Sequence, residues 1–243
     1  MKRICFRLFF LVFASTLPLT AQSELWSKAS LLAAQSRDLL PGRLTTVAEE
    51  LNSDGTRKST LQMTMSMTYD SHGALERTEI VEAIRDGKDV TEEMRTDVQK
   101  AASQGKGTAG QGSTWVGFSG MLFDAESSKK IHFLPGASSV RKGDRTFSVI
   151  AFEMGVNLFA KLRGTAEIDP ETGIPSIVRA TGQVPFVKDL SLTMTYSPFA
   201  SGGFVLSTLE FAGSVTIPFR KAGFWGSLAF SDYQRVSVSL LDR

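Results

Sequence analysis

The sequence is poor in the residue types that carry nucleophilic catalysis or bind transition metals. Among 243 residues there is one cysteine, Cys5, and there are two histidines, His72 and His132, which are far apart in the chain. No Cys or His pair therefore has metal-ligand spacing. The glycines around Ser119 lack the G-x-S-x-G spacing of a nucleophile elbow, and those at 103–113 lack the Lys-Ser/Thr ending of a phosphate loop. We expect no catalytic residue, no cofactor and no metal.

Long apolar runs are scarce too, and the most pronounced one lies at the N-terminus. Three basic residues among the first seven precede an apolar run at 8–14, and Ala21 offers a small residue for cleavage. This order is typical of a secretory signal peptide, and the run is well short of the ~20 residues of a membrane-spanning helix. We therefore expect residues 1–21 to be a signal peptide and residues 22–243 to be exported to the periplasm or cell envelope. Because Cys5 precedes the apolar run instead of following it, we expect a soluble protein without a lipid anchor.

Neither sign of charge is in excess. The full chain has 27 basic and 25 acidic residues, and the expected signal peptide contains three of the basic ones and none of the acidic ones. The remaining chain has 24 basic and 25 acidic residues, a net charge of −1, so its composition gives no support to nucleic-acid binding. With 42% hydrophobic and 21% charged residues, the composition is that of a globular protein. We expect residues 22–243 to form a single β-rich domain with a mobile, Gly-rich loop at 103–113.

Helical periodicity is confined to two segments in the first half of the chain. In the first, at 24–40, apolar residues recur along one stripe, and the Pro41-Gly42 pair that follows is expected to end the helix. The second begins after Asp89, which precedes Glu92 by three residues in the pattern of a capping box, and is expected to extend over 90–102. The sequence therefore predicts one N-terminal helix and one further helix.

Most of the remaining sequence alternates with the period of two that is typical of strands. Turn sequences at 52–55 and 70–73 divide the segment 43–85 into three strands of an antiparallel meander. From the segment 115–123 onward nearly everything indicates strands and turns, about nine or ten strands in all. Strands much longer than about five or six residues demand curvature or closure. We expect a mainly β (α+β) fold, a curved antiparallel half-barrel sheet with the N-terminal helix and the further helix packed on its concave side.

The clearest alternation in the chain lies at 60–68, where four apolar residues share one face of the expected strand. Three of the four are methionine, whose unbranched and polarisable side chain adapts to ligands of variable shape, such as alkyl chains. Later strands carry a methionine and a phenylalanine in the same kind of alternation. The residues expected to line an apolar, ligand-binding concavity are Leu61, Met63, Met65, Met67, Met194 and Phe211. The alternative, that these side chains fill a packed core beneath a helix, stays open.

The order of these elements resembles the LolA/LolB/LppX-like group of envelope lipoprotein carriers. The matching pieces are the helix at 24–40, the meander at 43–85, the helix after Asp89 and the strand–turn step at 167–175. The resemblance implies an exported chain with an N-terminal amphipathic helix and an unclosed antiparallel half-barrel whose apolar hollow takes up acyl chains. The segment 86–93 has no clear counterpart in the group. No single lipid-contacting residue of the group is matched, so no site is carried over.

We interpret the chain as a non-catalytic carrier or chaperone that binds an acyl chain, a lipid or a lipoprotein in an apolar concavity. Its expected partners are the acyl chains of lipids or lipoproteins and envelope proteins, with no nucleic acid and no metal. Burial of an acyl chain needs no specific polar group, since each methylene contributes about 0.8 kcal/mol. Three alternatives stay open: a structural or interaction module of the envelope that docks through exposed strand edges, an outer-membrane β-barrel, and an exported hydrolase.

Overall fold

The structure is a computed structural model of the chain, and it describes residues 19–103, 120–136, 138–157, 160–184, 187–200, 202–217 and 220–236. Most of the expected signal peptide and nearly all of the expected Gly-rich loop lie outside these ranges, so both stay predictions. The described residues form one antiparallel sheet of twelve strands together with three helices. This confirms the mainly β fold, with twelve strands where nine or ten were expected.

The helices are α1 (Leu19–Gln35), α2 (Thr91–Ser103) and α3 (Ala125–Ser128), and a 3-10 turn lies at Met121–Phe123. The strands are β1 (Leu39–Leu51), β2 (Arg57–Tyr69), β3 (Leu75–Arg85), β4 (Lys88–Asp89), β5 (Ile131–Phe133), β6 (Ser138–Lys142), β7 (Arg145–Asn157), β8 (Ala160–Ile168), β9 (Pro175–Val184), β10 (Val187–Pro198), β11 (Phe204–Ile217) and β12 (Arg220–Arg235).

The sheet is open, with β4 at one edge and β5 and β6 at the other. Its strand order is β4-β3-β2-β1-β12-β11-β10-β9-β8-β7-β5, and β6 pairs with β7 on the same side as β5. The strands β1, β2 and β3 are the predicted meander. The turn between β1 and β2 contains Gly55 at a φ of 84°, a left-handed conformation that glycine adopts without strain. Because β1 also pairs with β12, the first and last strands of the chain are neighbours.

The first helix ends five residues earlier than the sequence predicts. Gln35 is its last residue, and the Oγ of Ser36 accepts a hydrogen bond of 2.9 Å from the backbone N–H of Phe204. The chain then enters β1 at Leu39, which pairs with β12 and is buried. Pro41, which was expected to end the helix, lies inside the strand. The prediction of the boundary was wrong because burial of the first residues of β1 against β12 outweighs their helical periodicity.

The expected strand at 115–123 is a second correction. Residues 104–119 lie outside the described ranges, and the part that is described forms a turn and a 3-10 helix that ends at Phe123. Phe123 is fully buried between α1 and the sheet. Leu122 and Phe123 are buried in the 3-10 turn instead of pairing with a neighbouring strand, which alternation alone does not distinguish.

Contacts between aromatic rings show that the sheet curves around α1. The ring centroid of Trp26 on α1 lies 5.5 Å from that of Phe152 on β7 and 4.6 Å from that of Phe123. The ring centroid of Phe123 in turn lies 5.7 Å from that of Phe204 on β11. The strands β7 and β11 are separated by three other strands, so in a flat sheet they would be about 19 Å apart. Here three successive ring contacts are enough to connect β7 to β11. The side of the sheet that faces α1 is therefore concave, and we call it the inner face.

The second helix covers the free edge of β3. The side chain of Arg95 donates hydrogen bonds to the carbonyl oxygens of Ile80 and Val81, at 2.9 and 3.3 Å. The backbone N–H of Ala83 donates to the Oγ1 of Thr91 at 2.9 Å. An uncovered edge strand is a template for pairing with another chain. The contacts of α2 satisfy part of this edge internally.

On the outer face, Glu167 of β8 is a buried carboxylate held by two cations. Its side chain is 8% exposed, pairs with Lys142 of β6, and lies 2.6 Å from a guanidinium nitrogen of Arg179 on β9. Burial raises the pKa of Glu167, but the hydrogen bonds and positive charges of Lys142 and Arg179 outweigh it, so the pKa lies below its ordinary value. This cluster ties β6 to β8 and β9.

We expect Glu167→Gln to lower the free energy of unfolding by about 1–2 kcal/mol at neutral pH. Because the folded pKa is depressed, the stabilisation is present above the unfolded pKa and is lost as the pH falls through the folded pKa. Urea unfolding at neutral pH and at about pH 3.5 should therefore give a smaller difference from the parent protein at the lower pH. Glu153→Gln, which removes an exposed partner 3.7 Å from Lys161, should change stability by about 0.5 kcal/mol or less. A difference for Glu167→Gln that did not depend on pH would contradict this account.

We expect Gly203→Ala to loosen the contact between α1 and β11. Gly203 has a φ of 76°, and a Cβ there would lie 2.1 Å from the Oγ of Ser36 and 2.9 Å from the carbonyl oxygen of Leu32. Gly55→Ala is the matched control, since Gly55 has a φ of 84° but no atom within 4 Å of an added Cβ. Thermal and urea unfolding should show a loss of about 1 kcal/mol for the control and about 3 kcal/mol for Gly203→Ala. Equal losses would show that the contact adds nothing.

Candidate functional site

The strand registers place the inner-face side chains in rows that cross the sheet. One row, here called the Leu61 row, crosses from β2 to β5. Its members in order are Leu61, Ala48, Gly226, Phe211, Leu192, Ala180, Gly164, Phe152 and Phe133. The row contains no charged residue and no hydroxyl group. Four of its nine members are alanine or glycine, so little side-chain volume covers the backbone between the larger side chains.

A second row lies beside the first, on the side nearer α1. This Met63 row consists of Met63, Thr46, Leu228, Leu209, Met194, Val178, Ala166 and Ile150. It also contains no charged residue. Met194, Val178, Ala166 and Ile150 are buried in the core, whereas Met63 is partly exposed. The β7–β10 half of this row is therefore packed, and its β2 end is more accessible.

All six side chains that the sequence predicted as ligand contacts lie on the inner face. The registers bring Leu61 and Phe211 into one row, and Met63 and Met194 into the next. Met67 and Met194 are 4% and 2% exposed and belong to the core cluster, and Met65 packs against that cluster. These three side chains pack in or against the core cluster, and their role as ligand contacts stays a prediction. Leu61, Met63 and Phe211 remain as candidate contact residues.

The helix α1 lies at one end of the inner face. Lys28 of α1 donates to the carbonyl oxygens of Pro170 and Glu171 in the β8–β9 turn, and Ser36 accepts from Phe204 at the start of β11. The β8–β9 turn and the β10–β11 turn lie at the same end of the sheet. At the opposite end, the inner-face side chains are partly exposed and stand outside the core cluster. We call this group the open end, and its members are Leu61, Met63, Leu190, Phe211, Val215 and Phe224.

Two phenylalanines of the open end lie over glycines of the neighbouring strand. A Cβ on Gly226 would be 2.4 Å from the ring of Phe211, and a Cβ on Gly213 would be 2.8 Å from the ring of Phe224. Phe211 is opposite Gly226 in the β11–β12 register, and Phe224 is opposite Gly213. Each ring therefore lies close against the backbone of its neighbour, and this part of the face is a shallow, aromatic floor.

The charges beside the β1–β2 part of the open end are paired, including Arg85 of β3, which lies opposite Leu61 and 3.3 Å from the carboxylate of Glu93. At the β1–β2 hairpin, the Nζ of Lys58 lies 2.6 Å from the carboxylate of Glu50, and a guanidinium nitrogen of Arg57 lies 3.7 Å from the carboxylate of Glu49. Beside this hairpin a cavity of about 290 Å³ is lined by apolar inner-face residues and by polar residues of the rim. Its lining residues include Ala48, Leu61 and Phe224. An apolar floor with a charged rim suits a ligand that is apolar along its length.

The three tyrosines of the chain lie at the end of the sheet that packs against α1. Tyr69 donates to the carbonyl oxygen of Pro41 at 2.9 Å, Tyr233 donates to that of Leu206, and the hydroxyl of Tyr196 lies 3.6 Å from the Sδ of Met194. Burial raises the pKa of all three hydroxyl groups. The tyrosines therefore stay neutral hydrogen-bond donors at physiological pH.

Sequence reasoning missed Leu190 and Phe224. Leu190 follows an irregularity in β10, where the register shifts after Lys188, so its face is not evident from alternation. In the sequence Phe224 follows Gly223 and precedes Trp225, and only its register with Gly213 places it on the inner face. The Gly-aromatic sequence at 223–226 was the one signal that could have indicated a ring packed on a neighbouring glycine.

Two features that the described residues lack bear on the kind of site. In these parts of the chain, no three His, Cys, Asp or Glu side chains lie close enough to hold a metal ion. His72 lies in the turn between β2 and β3, where its backbone N–H donates to Asp70, and His132 lies on β5. No described helix combines the length and the apolar character that a membrane crossing requires.

No family model matches the chain, and no curated protein matches it. Solved structures do match. A LolA superfamily protein from Nitrosomonas europaea is 12% identical, with a TM-score of 0.35 over 88% of this chain and 93% of that chain. A putative outer membrane lipoprotein-sorting protein domain from Vibrio parahaemolyticus is 12% identical, with a TM-score of 0.36 over 89% and 96%. A DUF1329 family protein from Desulfovibrio piger is 8% identical, with a TM-score of 0.38 over 93% and 96%.

The chain has an open antiparallel sheet whose inner face packs against an N-terminal helix. This is the fold that the resemblance of the sequence implied. The likeness to the solved structures concerns this architecture alone. With TM-scores below 0.5 and at most 12% identity, it carries no argument about a ligand or a partner, which must come from the open end itself.

We expect Gly226→Ala to lift Phe211 off the floor of the open end. The added methyl group would lie within 3.0 Å of three ring atoms of Phe211, so the ring must move, at a cost of about 1–2 kcal/mol. Gly155→Ala on β7 is the control, because an added Cβ there has no atom within 4 Å. Urea unfolding measures the difference between the two variants. A Gly226→Ala variant as stable as Gly155→Ala would contradict the close packing of this ring.

Proposed function

We propose that the chain is an exported, non-catalytic carrier or chaperone that binds an acyl chain of a lipid or lipoprotein along the open end of its inner face. The observation that carries the proposal is the composition of that face. The Leu61 row from β2 to β5 and the Met63 row from β2 to β7 contain no charged residue, and the charged Arg85 lies opposite Leu61 on β3, where this surface ends. At the open end, large apolar side chains of these rows are partly exposed instead of packed.

The chemistry of the open end fits a flexible apolar chain better than a rigid, polar ligand. Leu61, Met63 and Phe211 offer methyl, thioether and ring surfaces, and Met63 adapts its shape at low cost. The ring of Phe211 lies over Gly226, so this surface is a shallow floor along which a chain can lie. Since each buried methylene contributes about 0.8 kcal/mol, an acyl chain can be held without directional hydrogen bonds.

The export part of the proposal rests on the N-terminal sequence. The basic start, the apolar run at 8–14 and Ala21 are the features of a signal peptide. If cleavage follows Ala21, the mature chain begins at Gln22, within the first turn of α1. Mass determination of the protein secreted by an exporting host tests this directly. A secreted mass that corresponds to residues 22–243 supports the proposal, and retention of the full chain contradicts it.

Native mass spectrometry of residues 22–243, purified without detergent from an exporting host, tests the carrier function. We expect a population that is heavier by the mass of a lipid or an acyl chain, because the open end has apolar surface to cover. A clean mass, with no uptake when phospholipid vesicles are added, would contradict the carrier function. That result would favour the alternative of an envelope interaction module without a ligand.

A pair of substitutions on β2 separates binding from folding. Met63→Asp places a carboxylate on the accessible part of the Met63 row, and we expect it to lower the affinity for a palmitoyl chain about tenfold while the protein stays folded. Gln62→Asp is the matched control, since Gln62 is exposed on the outer face of the same strand. Fluorescent fatty-acid titration and circular dichroism are the measurements. Equal affinities for the two folded variants would contradict the assignment of the site.

A further inference from the structure

A cavity of about 730 Å³ lies on the rim of the open end, among residues of β7, β8, β9 and β10. Arg163 and Thr181, which line it, are a cross-strand pair of the outer face. Leu190 and Gly182, which also line it, are a cross-strand pair of the inner face. The cavity therefore adjoins both faces of the sheet, at the place where the register of β10 shifts after Lys188. Leu190 belongs to the cavity and to the open end.

Three cationic side chains line this cavity: Lys161, Arg163 and Lys188. The Nζ of Lys161 lies 3.7 Å from the carboxylate of Glu153. Within the described part of the chain, neither Arg163 nor Lys188 forms an ion pair. Asp189 is the second acidic residue of the lining, and it adopts a φ of 55°. Glu153 also lies opposite Arg163 in the β7–β8 register, so three cations and two carboxylates line the cavity, next to an apolar surface.

We propose that Arg163 and Lys188 bind the phosphate group of an anionic lipid whose acyl chain lies along the open end. This inference rests on the proposed function and adds to it the class of the head group. The guanidinium of Arg163 can donate two parallel hydrogen bonds to phosphate oxygens, and Lys188 supplies a compact positive charge. Arg163 lies on the outer face and Leu190 on the inner face, so the acyl chain passes around the strand ends at this cavity, along Leu190, to reach the apolar floor. Asp189 opposes the anion and limits the affinity.

Isothermal titration of residues 22–243 with three probes tests the proposal. The probes are 1-palmitoyl-lysophosphatidylglycerol, which carries a chain and an anionic phosphate, 1-palmitoylglycerol, which carries the chain alone, and glycerol phosphate, which carries the head group alone. We expect the lysophosphatidylglycerol to bind most tightly. Arg163→Gln combined with Lys188→Gln should weaken its binding about tenfold and leave the binding of palmitoylglycerol unchanged.

Asp189→Asn tests the proposal in the opposite direction, since it should raise the affinity for the anionic lipid instead of lowering it. Asparagine tolerates the left-handed conformation of this position, and we expect the loss of the negative charge to strengthen binding of the anionic lipid about threefold. Arg77→Gln combined with Arg141→Gln is the control and should change neither affinity, since Arg77 is an exposed cation of β3 and Arg141 is an exposed cation of β6 that pairs with the opposite end of β7. A merely structural role of the lining residues would not shift the affinity for one probe in both directions.

The remaining outcomes separate this proposal from the proposed function. If palmitoylglycerol binds and the anionic lipid gains nothing from Arg163 and Lys188, the head-group assignment is wrong while the carrier function stands. If glycerol phosphate binds as tightly as the lysolipid, the cavity is a site for free anions, and the lipid assignment is overturned. If the unmodified protein binds neither lipid, the carrier function fails and the head-group assignment fails with it.

Discussion

The pairing of the first strand with the last holds the two parts of the sheet together. β1 pairs with β12 from Leu39 opposite Arg235 to Leu51 opposite Gly223. At one end of this pair, Arg235 lies 2.7 Å from the carboxylate of Asp38. Without the pairing, the sheet would divide into the meander β1–β4 and a separate sheet β5–β12. The contact joins residues almost a full chain length apart, so its loop-closure entropy must be offset by the packing that it makes possible.

The rows of the inner face exist because of that pairing. Thr46 opposite Leu228, and Ala48 opposite Gly226, connect the side chains of β2 to those of β11 and β10. The curvature of the sheet then decides which parts of the rows are covered. Where Trp26 and Phe123 fill the concave side, the rows are a core. Beyond them, the same apolar rows continue as the open end. The candidate site is therefore the continuation of the core, and its apolar character follows from the same alternation.

The alternation at 60–68 was sufficient to place Leu61, Met63, Met65 and Met67 on one face, since successive side chains of a strand point to opposite sides. It was not sufficient to separate Met67, which is packed, from Met63, which is accessible. That difference depends on the distance of each row from α1. The helix boundary at Gln35 and the 3-10 turn at Met121–Phe123 escaped the sequence for a related reason. Burial against distant strands overrides local periodicity there.

The sequence alone determined the faces of the regularly alternating strands, the turns of the meander and the mainly β class, because these depend on residues close together in the chain. Only the tertiary structure decided which faces meet. Leu61 and Phe211 share a row because the registers of β1, β11 and β12 align them. Lys188 and Arg163 share a cavity because β9 stands between their strands and β10 bulges beside it. Registers between strands distant in sequence are set by the summed packing of many side chains, and no local pattern of residues encodes them.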